Sequence, residues 1–95
     1  MAGTIAVKFY GLLRRRLRTT TVEVAGEDLT VLALLRRTEE QAGQSFMDEL
    51  VDRETGLLAG TIILINGENI RLRQDLQTMV KAGDRLDLFS PAGGG

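Results

Sequence analysis

Hydrophobic and polar residues alternate in three segments of the chain, at residues 4–10, 19–24 and 85–89. A period of two residues is typical of β-strands that bury one face only. Gly11 and a short basic stretch separate the first two segments, which predicts a hairpin joined by a turn or helical turn over residues 12–18. The apolar positions that would share the inward face are Ile5, Val7, Phe9, Leu86 and Leu88.

Between residues 31 and 42 the apolar residues recur every three or four positions instead. Charged residues fill the opposite face, which is the pattern of an amphipathic helix packed on a core. Thr30 stands where an N-cap side chain accepts a backbone hydrogen bond, and Gly43 stands where a left-handed C-cap is favoured. The pattern predicts one main helix whose inward residues are Val31, Leu34, Leu35, Thr38 and Ala42.

The second half of the chain is less regular. Residues 44–52 carry apolar side chains at a spacing that predicts a second, shorter helix, and two glycines bracket a predicted loop over residues 53–60. Residues 61–65 are apolar without alternation, which is typical of a strand buried on both faces. Asn66–Gly67 is a strong tight-turn signal, and we expect a short strand over residues 70–72 before a polar crossover leads to the last strand.

Ninety-five residues leave room for one small domain. The predicted order is strand, strand, helix, strand, short strand, strand, and one helix covers only one face of a mixed sheet. The β-grasp, or ubiquitin-like, arrangement satisfies this order: it is an α+β fold with a mixed sheet of about five strands and one main helix packed on one face. Its first and last strands would lie side by side in the middle. The pattern by itself supports one helix packed on one sheet, and this specific topology rests partly on the family resemblance given below. We therefore predict a β-grasp domain over residues 1–89 and a flexible glycine-rich tail over residues 90–95.

The sequence holds no Cys and no His, which excludes disulfides, thiolate zinc sites, Cys nucleophiles and Ser–His catalysis. No glycine-rich loop joins a strand to a helix, so we expect the chain to bind neither ATP nor another cofactor itself. No apolar segment is long enough to span a bilayer, and the N-terminus lacks the features of a secretory signal. We expect a cytoplasmic protein that is not catalytic alone and does not bind a membrane.

Two clusters of charge stand out from a net charge of -1. Residues 14–18 hold four arginines, but the chain has only four aromatic residues and no nucleic-acid-binding motif. We interpret this run as a solvated or acid-pairing edge that could meet an acidic partner surface, and we expect no nucleic-acid binding. The second cluster lacks the spacing of a calcium loop, and we interpret it as a solvated helix face that holds no metal. It consists of Asp48, Glu49, Asp52 and Glu54.

The last six residues are Ser90, Pro91, Ala92, Gly93, Gly94 and Gly95. Glycine lacks a Cβ, so Gly93 and Gly94 would pass through a channel too narrow for a side chain, while Pro91 stiffens the exit from the last strand. Six extended residues reach roughly 20 Å. The functional interpretation is that the carboxylate of Gly95 is the reactive group, delivered into a partner's buried active site. The alternative is an ordinary frayed terminus.

Short segments spread over nearly the whole chain carry a further pattern. They are Val7–Gly11, Thr30–Leu32, Ile65–Ile70, Lys81–Leu86 and Leu88–Gly95. In this order and with this ending, the sequence resembles the MoaD/ThiS family of ubiquitin-like sulfur carriers, most closely the small subunit of molybdopterin synthase. The family's ending is commonly Phe-Pro-Pro-Val-Ala-Gly-Gly. The present tail has the same length counted from Phe89, with Ser90, Ala92 and Gly93 in place of the first proline, the valine and the alanine.

The resemblance implies a reaction in which partners supply the catalysis. An E1-like adenylyltransferase of the MoeB or ThiF type would use MgATP to adenylate the Gly95 carboxylate. A sulfur donor protein would then supply sulfur from a persulfide, leaving a C-terminal thiocarboxylate. The large subunit of molybdopterin synthase, of the MoaE type, would insert the tail beside a cyclic pterin precursor. The sulfur would thereby enter molybdenum or tungsten cofactor biosynthesis.

Strand parity places Tyr10 and Phe89 on the sheet face that the helix leaves open. Aromatic residues are enriched at protein interfaces, so we expect these two, with Ile70 and Pro91, to contact the partner. The alternative is that they are ordinary surface hydrophobes. Two further functions stay open at this point. The first is sulfur donation to another acceptor in tRNA thiolation, thiamin synthesis or cysteine synthesis, and the second is a ubiquitin-like protein modifier or interaction module.

Overall fold

The computed structural model describes residues 3–52 and 54–91. The helices are α1 (Gly11–Leu17) and α2 (Val31–Ala42). The strands are β1 (Thr4–Phe9), β2 (Thr21–Ala25), β3 (Leu29–Thr30), β4 (Val51–Asp52), β5 (Gly56–Leu57), β6 (Ile62–Ile65), β7 (Glu68–Asn69), β8 (Met79–Val80) and β9 (Arg85–Phe89). Single turns of 3₁₀-helix lie at Met47–Glu49, Ile70–Leu72 and Asp75–Gln77.

Strands β1 and β9 pair in parallel inside a five-stranded sheet whose order is β2-β1-β9-β6-β7. The other pairs of this sheet are antiparallel. Strands β3 and β8 form a separate two-stranded sheet, and so do β4 and β5. Helix α2 contacts β2, β3 and β8 and packs its apolar face into the core. The architecture is the predicted α+β β-grasp fold, with the first and last strands of the main sheet as neighbours.

The sheet face under α2 is apolar at every alternate position, as the sequence predicts. The five residues assigned to that face are each 1% exposed or less. Val31, Leu34 and Leu35 of α2 are fully buried against them, and the Phe9 ring meets the Phe46 ring edge to face, with centroids 5.3 Å apart. Burying one such side chain contributes about 1.5–3 kcal/mol. This covered face therefore provides most of the stability of the domain.

Both predicted caps of α2 are present. The side-chain oxygen of Thr30 accepts a hydrogen bond from the backbone N–H of Ala33, at 3.1 Å. At the other end Gly43 adopts a left-handed conformation with φ of 70°, and its N–H donates to the carbonyl of Glu39. With 12 residues, α2 is the longer helix. No helix within residues 3–52 and 54–91 combines the length and apolarity needed to cross a membrane.

The link between β1 and β2 is a helix rather than a simple turn. Helix α1 buries Leu13 and Leu17 beside the core and exposes the arginines between them. The C-cap residue after Leu17 is Arg18, whose φ of 55° lies in the left-handed region. This outcome agrees with the predicted hairpin, because β1 and β2 are antiparallel neighbours.

The prediction of a second helix over residues 44–52 is wrong. Only the 3₁₀ turn at Met47–Glu49 forms. Strand β4, at the end of the predicted helix, then pairs with β5, inside the predicted 53–60 loop, as a small hairpin. The turn ends where β4 pairs with β5 and the carbonyl of Leu50 accepts a hydrogen bond from the N–H of Leu58 at 2.9 Å. At its start, the carboxylate of Glu39 accepts hydrogen bonds from the backbone N–H groups of Phe46 and Met47 at 2.7 and 2.9 Å. The apolar residues of this segment still contribute to the core, since Phe46 and Leu50 are buried.

Two predictions for the following segment also need correction. Strand β6 is buried on one face only: Ile63 and Ile65 lie in the core, whereas Ile62 is 43% exposed because no second layer covers the other face. The short strand after the Asn66–Gly67 turn is Glu68–Asn69, and residues 70–72 form a 3₁₀ turn. The side chain of Asn69 caps this turn by accepting a hydrogen bond from the N–H of Arg71.

Candidate functional site at the end of the last strand

An aromatic pair marks the point where the chain leaves the sheet. The rings of Tyr10 and Phe89 are stacked, with centroids 4.4 Å apart and planes 11° from parallel. Tyr10 directly follows β1 and Phe89 ends β9, and because these strands are parallel neighbours their ends reach the same edge. The N–H of Tyr10 donates to the carbonyl of Leu88 at 3.2 Å. Both aromatic side chains are half-buried on the face opposite α2, as predicted.

A buried carboxylate lies next to this pair on the open face. Asp87 is 4% exposed, and its carboxylate accepts hydrogen bonds from the Tyr10 hydroxyl at 3.0 Å and from Arg85 Nε at 3.2 Å. Partial burial raises the pKa of the Tyr10 phenol above its ordinary value of 10.0, and the bond to Asp87 raises it further. The phenol therefore stays protonated, as a donor, at neutral pH. Sequence reasoning missed Asp87, although its parity with Phe89 in β9 is the signal that would have found it.

Apolar residues of β6 extend the open face beside the aromatic pair. Ile62 is the register partner of Phe89, and Leu64 is the register partner of Asp87. Sequence reasoning missed both as surface residues because their segment was interpreted as buried on both faces. With them, the aromatic pair becomes one corner of a continuous apolar area rather than two isolated surface rings.

Ile70 does not belong to this area. Its side chain is fully buried, because the 3₁₀ turn at Ile70–Leu72 directs it into the core that α2 also covers. The expectation that Ile70 contacts a partner on the open face is therefore corrected. Ile70 contributes to stability instead.

The last described residues, Phe89–Pro91, form what we call the tail root. Pro91 is half-buried and lies against Gly60. Gly60 has a φ of +88°, and a Cβ built on it would lie 3.2 Å from the Cβ of Pro91, so the absence of a side chain there lets the chain pass. Gly93, Gly94 and Gly95 lie outside the described residues, and their predicted roles stay predictions.

The arginine-rich helix adjoins the site and is partly neutralised. Arg16 forms an ion pair with Glu49, and its guanidinium also donates to the carbonyl of Ser45 at 2.6 Å. Arg14, Arg15 and Arg18 are exposed. The four arginines are therefore exposed to solvent and one of them pairs with an acid, which agrees with the interpretation as a solvated or acid-pairing edge. Because the charge of Arg14 acts on the Tyr10 phenol, this basic edge flanks the aromatic pair.

The acidic cluster has local structural roles. Glu49 pairs with Arg16, and the carboxylate of Asp52 accepts hydrogen bonds from the backbone N–H groups of Glu54 and Thr55, which lower its pKa. Among residues 3–52 and 54–91, no three acidic side chains converge as metal ligands would. Within this cluster, Glu49 therefore pairs with helix α1 and Asp52 caps a turn.

The arrangement has the composition of a binding surface. It offers stacked rings, neighbouring aliphatic side chains and flanking cations around a tail root fixed to a rigid sheet. Its one buried acid, Asp87, already accepts two hydrogen bonds. A central apolar area with a charged rim is the composition of protein–protein interfaces.

The ThiS family model matches residues 7–95 of the chain. A protein of Archaeoglobus fulgidus that is provisionally named a sulfur carrier protein is 28% identical over 74 residues, which are 78% of this chain and 83% of the relative.

Solved structures agree with this match. Small archaeal modifier protein 1 (SAMP1) from Methanosarcina acetivorans superposes with a TM-score of 0.77 at 25% identity, covering 100% of this chain and 99% of that one. A chain of the BexX/CysO complex from Amycolatopsis orientalis superposes with a TM-score of 0.76 at 25% identity, covering 96% and 99%. The match to the family model spans the core strands, the aromatic pair and the glycine-rich end together. The chain therefore belongs to the ThiS family of ubiquitin-like sulfur carriers.

Proposed function

We propose that this protein carries sulfur on its C-terminus and donates it in molybdopterin biosynthesis, as the small subunit of molybdopterin synthase. The observation that carries the proposal is the path of β9. This interior strand of a rigid sheet leads past a half-exposed aromatic pair directly into the glycine-rich end. Family membership supports the chemistry, and the resemblance of the tail to molybdopterin synthase small subunits favours this acceptor.

The proposed reaction begins with an unreactive carboxylate. An E1-like adenylyltransferase of the MoeB or ThiF type joins the Gly95 carboxylate to AMP from MgATP and releases pyrophosphate, which creates a good leaving group. The terminal sulfur of a donor protein's persulfide displaces AMP. Reduction of the resulting S–S bond by a thiol leaves the thiocarboxylate, and the MoaE-type large subunit then transfers its sulfur to the pterin precursor. Each step takes its acids, bases and nucleotide contacts from a partner.

The docking surface follows from the same geometry. Tyr10, Phe89 and Pro91 surround the point from which the tail departs, so a partner that takes the tail must contact them. Aromatic side chains of this kind often carry much of the binding energy at an interface. The tail passes through the partner's channel because Gly93 and Gly94 have no side chains.

Intact-mass spectrometry tests the proposal. The full chain is incubated with a purified E1-like enzyme from the same organism, MgATP and a persulfide sulfur source. We expect a mass increase equal to the exchange of one oxygen for sulfur at the C-terminus. A matched variant that lacks Gly94 and Gly95 should stay unchanged. Adenylate formation without any sulfur-containing product would contradict the carrier function, and a loaded chain that cannot convert the pterin precursor with a MoaE-type subunit would contradict the acceptor.

A second candidate function is favoured by the structural relatives. SAMP1 is named a modifier, and it superposes over the whole chain. If this protein were a modifier, the same incubation with cell extract would produce a ladder of conjugates linked from Gly95 to lysine amines. Sulfur transfer to a tRNA base, to the thiamin thiazole or to a cysteine precursor would instead give the loaded chain with a different acceptor.

A further inference from the structure

Asp87 is an unexpected residue at its position. It lies in β9, between β1 and β6, on a sheet face that no helix covers, and it is nevertheless 4% exposed. Aspartate is depleted in strands, and burying its charge is unfavourable unless partners compensate. Its register partners are Leu64 in β6 and Lys8 in β1, so one flanking strand presents an apolar side chain and the other a cation.

Stability alone does not explain this carboxylate. Its ion-pair partner Arg85 has a side chain that is 51% exposed, and the Tyr10 ring is half-buried. Both would find water if Asp87 were removed. Replacement of a buried charge by a well-packed apolar residue is often neutral or stabilising. The contribution of Asp87 must therefore be sought in what it does to its partners.

Asp87 acts on the ring of Tyr10. The Tyr10 hydroxyl donates to Asp87 Oδ1 at 3.0 Å, while the ring lies 4.4 Å from that of Phe89. Tyr10 belongs to the short connection between β1 and α1, and stacking on one side leaves its free end unrestrained. The hydrogen bond ties that end to the rigid central strand.

We propose that Asp87 is a positioning residue that holds the Tyr10 ring parallel to Phe89, so that the aromatic surface beside the tail root is already formed before a partner docks. Ordering side chains before binding raises affinity, because their entropy loss no longer opposes association. The part of this proposal that concerns docking rests on the function proposed above. The part that concerns the ring is a property of the free chain.

The test uses a pair of matched variants. Asp87→Val removes both the charge and the acceptor, whereas Asp87→Asn removes the charge, and with it the ion pair to Arg85, but keeps an oxygen that can accept from the phenol. Their difference therefore isolates the hydrogen bond. The chain contains one tyrosine and no tryptophan, so absorbance and NMR signals of tyrosine report Tyr10 alone.

On the free full-length chain, we expect Asp87→Val to weaken the NMR contacts between the Tyr10 and Phe89 rings and to move the phenol pKa down toward its ordinary value. Asp87→Asn should keep the ring contacts. The charged groups facing the phenol are otherwise the same in both variants: Lys8, Arg14 and Arg85. Thermal unfolding should show Asp87→Val to be as stable as the parent chain or more so. Unaltered ring contacts in Asp87→Val would overturn the proposal.

Calorimetric binding to the E1-like enzyme tests the consequence for docking. We expect Asp87→Val to weaken affinity roughly three- to tenfold and Asp87→Asn to stay within about twofold of the parent chain. Equal affinity of all three chains would overturn the docking part even if the ring contacts change. If the parent chain itself fails to bind, the proposed function fails, while the ring measurements still decide the role of Asp87.

Discussion

The two faces of the five-stranded sheet differ in what lies on them. In its four longer strands, β1, β2, β6 and β9, the face under α2 carries apolar side chains, and it contacts a helix whose Val31, Leu34 and Leu35 are fully buried. The opposite face carries an aromatic pair, two aliphatic residues of β6 and one buried carboxylate with its partners. Neighbouring residues of one strand, Leu88 and Phe89, therefore belong to different environments. The covered face holds the apolar core, and the open face holds the residues that we propose to contact partners.

The largest expected effect comes from breaking the covered face. Leu88→Ala removes a fully buried side chain and should lower the free energy of unfolding by about 2–5 kcal/mol. The matched change Leu64→Ala, on the open face of the adjacent strand, should lower it by only about 1 kcal/mol. Urea denaturation monitored by circular dichroism measures both. Equal losses would show that the two faces contribute alike to stability.

The next effect concerns binding. Phe89→Asp places a charge in the aromatic pair without opening the core, so the chain should stay folded while its affinity for the E1-like enzyme falls at least about 30-fold. Met79→Asp is the control, since Met79 is 51% exposed in β8, outside the main sheet. It should change affinity by no more than about twofold. Calorimetry decides between them, and unchanged affinity of Phe89→Asp would show that partners do not dock at the tail root.

The smallest expected effect concerns the contact between Pro91 of the tail root and Gly60. Gly60→Ala and Gly56→Ala both place a side chain at positive φ, and each should cost about 1 kcal/mol of stability. Only Gly60→Ala also places a Cβ against Pro91. A Cβ built on Gly56 has no atom of the described residues within 4 Å. We therefore expect Gly60→Ala alone to slow adenylation of the C-terminus, roughly three- to tenfold. Equal rates for both variants would show that the contact with Pro91 does not guide the tail.

The residues of the covered face can be predicted from the sequence because the patterns that place them there are local. Alternation fixes which residues of β1 and β9 point inward, and Thr30 and Gly43 fix the ends of α2 through contacts within one turn. The same parity places Tyr10 and Phe89 on the open face, whereas the stacking of their rings depends on the pairing of β1 with β9. These predictions need no knowledge of distant residues.

The remaining features depend on distant contacts and could not be predicted in this way. Asp87 is buried because it accepts a hydrogen bond from Tyr10, 77 residues away in the chain. Residues 44–52 form only one 3₁₀ turn because residues 51–52 pair with residues 56–57 and the carbonyl of Leu50 accepts a hydrogen bond from the N–H of Leu58. Ile62 is exposed because the fold has no second layer to cover it. Local pattern cannot reveal any of these partners.

The parallel pairing of β1 with β9 has a consequence for how the protein is made. Because an interior strand of the sheet comes from residues 85–89, a nascent chain still lacking them cannot close its core, and such nonlocal pairing forms late. The aromatic pair likewise needs both strands before it exists. A chain that ends before residue 85 therefore lacks both the closed core and the aromatic pair. Closure of the core and formation of the aromatic pair thus depend on the same strand.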